Sequence, residues 1–284
     1  MITVDNVFLK YPAAKEDTIN GISFSVREGE IFGFLGPSGA GKSTLQKILT
    51  GVLRGYRGSV SVLGTEVKHR DNTFYENIGV DFEFPNFYGK CSAIENLNFF
   101  SSLYNRKPLP AMELLEKVGL KEDAEKRVSD YSKGMKMRLG FVRALLHNPK
   151  LLFLDEPTSG LDPSSARTMK NMILEEKQKG KTIILTTHNM HDAEELCDRV
   201  AFVVEGKVKA MDTPEAFRMQ TVDTKVLFAY KDGDDISERT TPLRDLNADS
   251  VFQKVLKEGT LQSIHTKEQT LEDVFISLTG RCLT

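Results

Sequence analysis

The run Gly36-Pro37-Ser38-Gly39-Ala40-Gly41-Lys42-Ser43-Thr44 constrains this chain more than any other feature. The apolar stretch Ile31 to Leu35 precedes it, and a helical pattern from Leu45 to Val52 follows. The run fits G-x-x-x-x-G-K-[ST], and its setting demands a strand–loop–helix unit. Gly36, Gly39 and Gly41 let the backbone wrap tightly and aim its N–H groups inward. A helix starting near Lys42 adds its positive dipole end to the same point. Such a loop cradles phosphate. Lys42 is expected to reach the β- and γ-phosphates of a nucleoside triphosphate, and the Ser43 hydroxyl to ligate Mg²⁺.

The rest of the chain alternates strands and helices. Val7, Leu9 and Tyr11 alternate with polar residues, and so do Ile22, Phe24 and Val26. Ser59 to Leu63 and Asn77 to Phe82 read as further strands. From Ser92 the period changes to that of helices, with Ser92 and Glu95 as a capping box. Helices are expected over Ala111 to Val118 and from near Gly134 to before Pro149. Leu151 to Leu154 and Thr182 to Thr187 are continuous apolar-rich runs of the kind buried in parallel sheets. Asp162 and Asn189 are placed to cap the helices after them. The alternation predicts an α/β fold. Past about residue 221 the texture shifts, and Lys231 to Asp249 is rich in Asp, Thr, Ser and Arg. Two strand-like runs, Lys225 to Tyr230 and Thr260 to Thr266, join two helix-like runs, Ser250 to Lys257 and Leu271 to Leu278. Together they predict a small α+β domain over 221–284.

Charge and cysteines narrow the partners. The net charge of -2 opposes bulk attraction to nucleic acid. Lys133, Lys136, Arg138 and Arg143 form a local basic cluster, either a solvated helix face or a group near phosphate. Cys91, Cys197 and Cys282 lie far apart without metal-site spacing, and a reduced cytosolic chain is expected. No apolar run approaches a membrane span, and the N-terminus lacks the features of a signal peptide. His69, His147, His191 and His265 sit in no chemical context and are read as surface or packing residues.

A second phosphate motif lies at Leu151-Leu152-Phe153-Leu154-Asp155-Glu156. Asp155 ends the apolar strand and is placed to hold Mg²⁺. Glu156 adjoins it and can polarise an attacking water. Pro157-Thr158-Ser159-Gly160-Leu161-Asp162 follows, and Thr186-Thr187-His188 ends the next strand. With these motifs in this order, residues 1–220 resemble the nucleotide-binding domain of ATP-binding cassette (ABC) transporters. The resemblance implies a P-loop NTPase core with an antiparallel β subdomain and an inserted helical subdomain, about residues 85–148. It implies that Tyr11 stacks on the adenine of ATP. Ser132 and Gly134, in Tyr131-Ser132-Lys133-Gly134-Met135, match the signature that contacts ATP held by a second nucleotide-binding subunit, a homodimer mate or a paralogue. Asp162 matches the loop crossing that interface, and His188 the histidine at the γ-phosphate.

Two segments depart from the family pattern. In the signature, Lys133 stands for a Gly and Met135 for a Gln. Glu83 stands where the family has a Gln that touches Mg²⁺, and its carboxylate can serve as a ligand. Phe84, Pro85, Phe87 and Tyr88 follow Glu83, in a region that in the family faces an integral membrane permease. Packing under the helical subdomain is the other reading of those rings. The S-K-G-M form and the tail Thr270 to Phe275 with Leu278 to Arg281 resemble exporters with a separate permease. The expected function is ATP hydrolysis on the cytoplasmic face of the cell membrane. The alternative is a non-transport ABC ATPase acting on nucleic acid or the ribosome. Against it stand the spacing of the two Walker motifs, too short for a coiled coil, and the presence of one cassette.

Overall fold

The computed structural model describes residues 1–12, 14–83, 86–219, 225–233, 235–267 and 270–280. Packing divides the chain into two compact units that meet in sequence between Asp212 and Thr213.

The first unit opens with β1 (Ile2–Leu9), β2 (Ile19–Val26) and β3 (Ile31–Leu35), then α1 (Lys42–Leu49). β4 (Arg57–Val62), β5 (Thr65–Glu66), the short α2 (Asn72–Tyr75) and β6 (Ile78–Asp81) follow. Three helices come next: α3 (Ala93–Ser101), α4 (Ala111–Lys117) and α5 (Lys133–Leu145). The unit closes with β7 (Leu151–Asp155), α6 (Pro163–Gln178), β8 (Thr182–Thr187), α7 (Met190–Leu196), β9 (Arg199–Val204) and β10 (Lys207–Asp212).

Two sheets carry this unit. One is four-stranded and antiparallel, in the order β2-β1-β4-β5. Its strands alternate buried and exposed residues, as half-buried strands do. The other is six-stranded, in the order β10-β9-β3-β8-β7-β6. It is parallel except for β10, and every residue of β3, β7 and β8 is buried. The unbroken apolar runs of the sequence therefore mark the strands covered on both faces. Phe24 joins the two sheets, its ring 5.7 Å from Phe32 and 5.1 Å from Phe34.

The helical stretch begins where the capping box places it. Ser92 accepts from the Glu95 amide, and the Glu95 carboxylate accepts from the Ser92 amide. Ser132 caps α5, and Asp162 with Pro163 starts α6. The sequence pattern does not show α2 and β5, both too short to carry a period.

The second unit begins with α8 (Pro214–Met219), so packing groups this helix with the residues after it. Residues 220–224, where the sequence changes texture, lie outside the described residues. β11 (Lys225–Asp232), β12 (Asp235–Pro242), α9 (Ser250–Glu258), β13 (Leu261–Lys267) and α10 (Leu271–Thr279) complete it. Its sheet runs β12-β11-β13, antiparallel throughout. Phe228 at its centre is fully buried and meets Phe252 of α9 edge-on, with centroids 5.0 Å apart.

The polar stretch Lys231 to Asp249 contains β12, a strand its composition does not announce. β12 pairs with β11 from Lys225 opposite Pro242 to Asp232 opposite Asp235. It is an edge strand whose only large aliphatic residue, Ile236, is 69% exposed. With no apolar face to bury, it leaves no alternation in the sequence.

Candidate active site

The parallel sheet brings the site together. Leu35 at the end of β3 lies opposite Thr187, and Asp155 at the end of β7 lies opposite Thr186. Asp81 at the end of β6 pairs with Leu154. The segments bearing Lys42, Glu83, Glu156 and His188 thus leave one edge of the sheet, the carboxyl edge where parallel α/β sheets bind ligands.

The loop after β3 is fixed by close approach. Gly36 has φ 156°, and a Cβ added there would fall 2.1 Å from the Val203 carbonyl oxygen. Only glycine fits. Lys42, at the start of α1, donates from Nζ to the carbonyls of Gly36 at 2.6 Å and Pro37 at 3.1 Å. Burial pushes its ammonium pKa down, against the raising pull of the Glu156, Asp155 and Glu83 carboxylates. The Ser43 hydroxyl donates to Asp155 Oδ1 at 3.3 Å, and Thr186 Oγ1 donates to the same oxygen.

Glu156 has φ 52°, in the left-handed region. For a residue with a Cβ this costs about 1–2 kcal/mol. The turn is held by the Glu156 amide donating to Thr186 O at 3.0 Å and by the Ser159 amide donating to Glu156 O at 3.0 Å. It aims the carboxylate off the end of β7. Thr187 Oγ1 donates to Glu156 Oε2 at 3.2 Å, and His188 Nδ1 lies 2.9 Å from Oε1.

A cleft of about 410 Å³ results, lined by the loop from Ser38 to Thr44 together with Thr18, Glu83, Glu156 and His188. Its oxygen donors, Ser43 and Glu83 with Asp155 behind, are hard ligands facing a cationic lysine. That donor set fits Mg²⁺ beside phosphate. Thr18 carries no signal in the sequence, because a hydroxyl beside a strand end is common, and Thr186 and Thr187 enter it only as part of the string that ends in His188.

Other expected site residues do not line this cleft themselves. Tyr11 is half-buried against the N-terminal core, its hydroxyl 3.3 Å from Thr44 Oγ1, and it is not among the residues lining the cleft. Ser132 accepts from the Met135 amide at 3.2 Å, and Asp162 accepts from the Ser164 and Ser165 amides. A Cβ on Gly134 would sit 3.2 Å from Leu161 Cδ2, so the start of α5 packs on the loop before α6. Lys133 lies over that loop too, its Nζ 3.2 Å from where a Cβ on Gly160 would be. Ser132, Gly134 and Asp162 therefore form a second locus.

The basic cluster is tied down at its C-terminal end. Arg138 Nη1 donates to Val118 O at 2.6 Å and Arg143 Nη1 to Asn86 O at 2.9 Å. His147 stacks on Tyr104 at 3.8 Å, with Nε2 2.8 Å from Ile78 O, as a packing histidine. His191 lies with Asp192 and Glu195, and Lys170 neutralises both of those carboxylates. Phe84 and Pro85 lie outside the described residues. Phe87 and Tyr88 line a separate cleft of about 550 Å³ with Phe100, Tyr104 and Arg143. Tyr88 and Phe99 beside it are 54% and 44% exposed, a patch of aromatic surface. Among the described residues no helix is long and apolar enough to cross a membrane.

The family model described as ABC transporter matches residues 19–159. The fluoroquinolones export ATP-binding protein of Mycobacterium tuberculosis (strain H37Rv) is 47% identical over 285 residues, spanning 100% of this chain and 95% of that protein. The linearmycin resistance ATP-binding protein of Bacillus subtilis (strain 168) is 32% identical, spanning 100% of this chain and 99% of its own length. The Nod factor export ATP-binding protein I of Neorhizobium galegae is 36% identical over 93% of this chain and 81% of its own. Among solved structures, an ATP-binding subunit of an ABC transporter is 30% identical with a TM-score of 0.70, over 78% of this chain and 92% of that one. The dimeric bacterial ABC transporter cassette MJ0796 is 25% identical with a TM-score of 0.69, over 75% of this chain and 98% of that one.

Proposed function

The chain belongs to the ABC transporter family, and from that premise we propose that it is the ATP-hydrolysing subunit of an exporter whose membrane permease is a separate chain. One observation carries the reading: Lys42, Ser43, Glu83, Glu156 and His188 share one cleft at the carboxyl edge of the parallel sheet. A nucleoside triphosphate laid along the loop meets backbone N–H groups and the Lys42 ammonium. Glu156 orients a water toward the γ-phosphate. His188, on the other side of Glu156, fixes that carboxylate and contacts the γ-phosphate. Ser43, Asp155 and Glu83 would hold Mg²⁺, which when bound offsets charge on the β- and γ-phosphate oxygens. Lys42 offsets the charge that develops on the leaving side.

The site is half complete within one chain. Ser132 and Gly134 do not line the cleft, so the signature acts on ATP held by a second subunit, a homodimer mate or a paralogue. ATP then closes two chains over two nucleotides, and hydrolysis reopens them. That the related MJ0796 cassette is dimeric supports this. The aromatic cleft at Phe87, Tyr88 and Phe100 is where the permease docks, which puts the chain on the cytoplasmic face of the membrane. The export names of two relatives, matched over 100% and 93% of this chain, support the direction of transport. The cargo is a property of the permease.

The test is co-expression with the permease encoded nearest to this chain, followed by purification from membranes through a tag on the permease. Recovery of this chain, with Mg²⁺-dependent ATP hydrolysis in the complex, is expected. A chain that hydrolyses ATP but is recovered with no membrane protein would overturn the transport reading.

A further inference from the structure

Arg143 connects two of the segments described above. It lies on α5, whose first residues include the signature. Its guanidinium reaches the segment that follows Glu83, donating from Nη1 to Asn86 O at 2.9 Å. The same group lies over the Phe87 ring at 4.9 Å and over the Phe100 ring of α3 at 5.1 Å. One cation thereby lies against both a loop aromatic and a helix aromatic, whose rings meet edge-on with centroids 6.2 Å apart, while it also holds a loop carbonyl. Asp81, at the end of β6, is its electrostatic counterpart. The buried Oδ1 of Asp81 has no hydrogen-bond partner among the described residues. β6 itself packs against α5 with no room for a side chain at Gly79, where a Cβ would fall 2.2 Å from Ala144 O.

We propose that Arg143 is a positioning residue that locks Asn86 and Phe87, which follow Glu83 closely in the chain, to the signature helix, so that both move as one body when the two subunits close on ATP. The inference rests on the two-subunit reading above. Arg143 is not among the residues lining the phosphate cleft, so one chain binds nucleotide without it. Closure requires more, because the partner's nucleotide meets the signature at one end of α5 while the nucleotide of the same chain meets Glu83. A loose joint between them lets one segment arrive without the other. Lysine keeps the charge at this position but loses the planar face and the fork. Its single ammonium cannot contact both rings and also hold the Asn86 carbonyl as the guanidinium does.

The experiment uses the full chain in a Glu156→Gln background, where closed dimers accumulate. Binding of a fluorescent ATP analogue to the single chain and ATP-driven dimerisation by analytical ultracentrifugation are measured separately. Arg143→Lys is expected to leave nucleotide affinity within about twofold and to raise the ATP concentration for half-dimerisation about tenfold or more. Phe87→Leu, which leaves α5 intact, is expected to do the same to a smaller degree. The two changes together are expected to add little to Arg143→Lys alone, as for groups acting through one contact. A general loss of fold would lower nucleotide binding and dimerisation together, and that outcome overturns the proposal. So does unchanged dimerisation in Arg143→Lys, or strict additivity with Phe87→Leu. Failure of the Glu156→Gln parent to dimerise with ATP would instead remove the two-subunit reading.

Discussion

His188 Nδ1 lies 2.9 Å from Glu156 Oε1, across two neighbouring strand ends of one parallel sheet. The pair is set by the backbone. Asp155 stands opposite Thr186 in the ladder, which brings the residues that follow each strand into reach of one another. The left-handed turn at Glu156 then directs its carboxylate toward His188 and Thr187. Both line the cleft, with the His188 side chain 53% exposed and that of Glu156 12%, so the imidazole is the more solvent-facing half of the pair.

Glu156→Gln is therefore expected to bind ATP with affinity close to wild type and to hydrolyse it at least ~100-fold more slowly. The amide keeps the shape and one acceptor but cannot take a proton. His188→Ala should lose a comparable factor, because the Glu156 carboxylate loses the partner that aims it. Steady-state kcat with isotopically labelled ATP, alongside nucleotide affinity, separates chemistry from binding. Near-normal turnover in Glu156→Gln would remove Glu156 from the water-activating role.

Glu83 adds a carboxylate to a cleft that Glu156 also lines and that Asp155 stands behind, and all three pull on Lys42. Glutamine at this position keeps the length and one oxygen ligand. Glu83→Gln should keep hydrolysis within about tenfold, equivalent to roughly 1.4 kcal/mol in the barrier. A loss of several hundredfold would assign Glu83 a dedicated part in catalysis.

Much of this arrangement is legible in the amino-acid sequence, and the reason is local. The phosphate loop, the Asp155-Glu156 pair and the Ser132 cap are contiguous strings whose chemistry depends on near neighbours. β12 is hidden because an edge strand with Ile236 exposed has no apolar face to betray it. Thr18 and the bond from Thr187 to Glu156 are hidden because they come from register and packing between distant segments. Arg143 reads in the sequence as part of a basic cluster on one helix. Its contacts with Asn86, Phe87 and Phe100 bridge residues that no periodicity relates.

Lys133 lies across Gly160 of its own chain, 3.2 Å from the position of a Cβ there. That placement assigns it to the packing of α5 on the loop before α6. Lys133→Gly should move the ATP concentration for half-dimerisation by less than about threefold. A direct contact with the partner's phosphates would be worth about 1.5–3 kcal/mol, a far larger shift. Titration of dimer formation in the Glu156→Gln background decides between them.

Gly79 sets how closely β6 meets α5. A Cβ there would also fall 2.8 Å from Leu152 Cδ2 and 2.9 Å from Pro149 Cγ. The Ala144 carbonyl is helix backbone and cannot swing aside. Gly79→Ala should destabilise the first unit by about 1–3 kcal/mol. At about 2–4 °C per kcal/mol for a unit of this size, thermal melting should register several degrees. An unchanged melting temperature would mean that α5 shifts freely against the sheet.

Asp249 gives the second unit its own acid sensitivity. The Thr241 hydroxyl, the Phe252 amide and the Arg239 guanidinium hold its carboxylate ionised, against burial, and lower its pKa to about 2 from an ordinary 3.8. A lowered folded pKa contributes stability that is fully present above the unfolded value and is lost as protons bind the folded form. Helix α9, which Asp249 caps, should therefore weaken as pH falls from about 4 toward 2. Hydrogen exchange of the Val251 and Phe252 amides, measured down to that range, reports it directly. Asp249→Asn keeps an acceptor for both amides without a titrating charge, and should flatten the dependence while lowering protection at neutral pH. Equal acid sensitivity in Asp249→Asn would place the titrating group elsewhere.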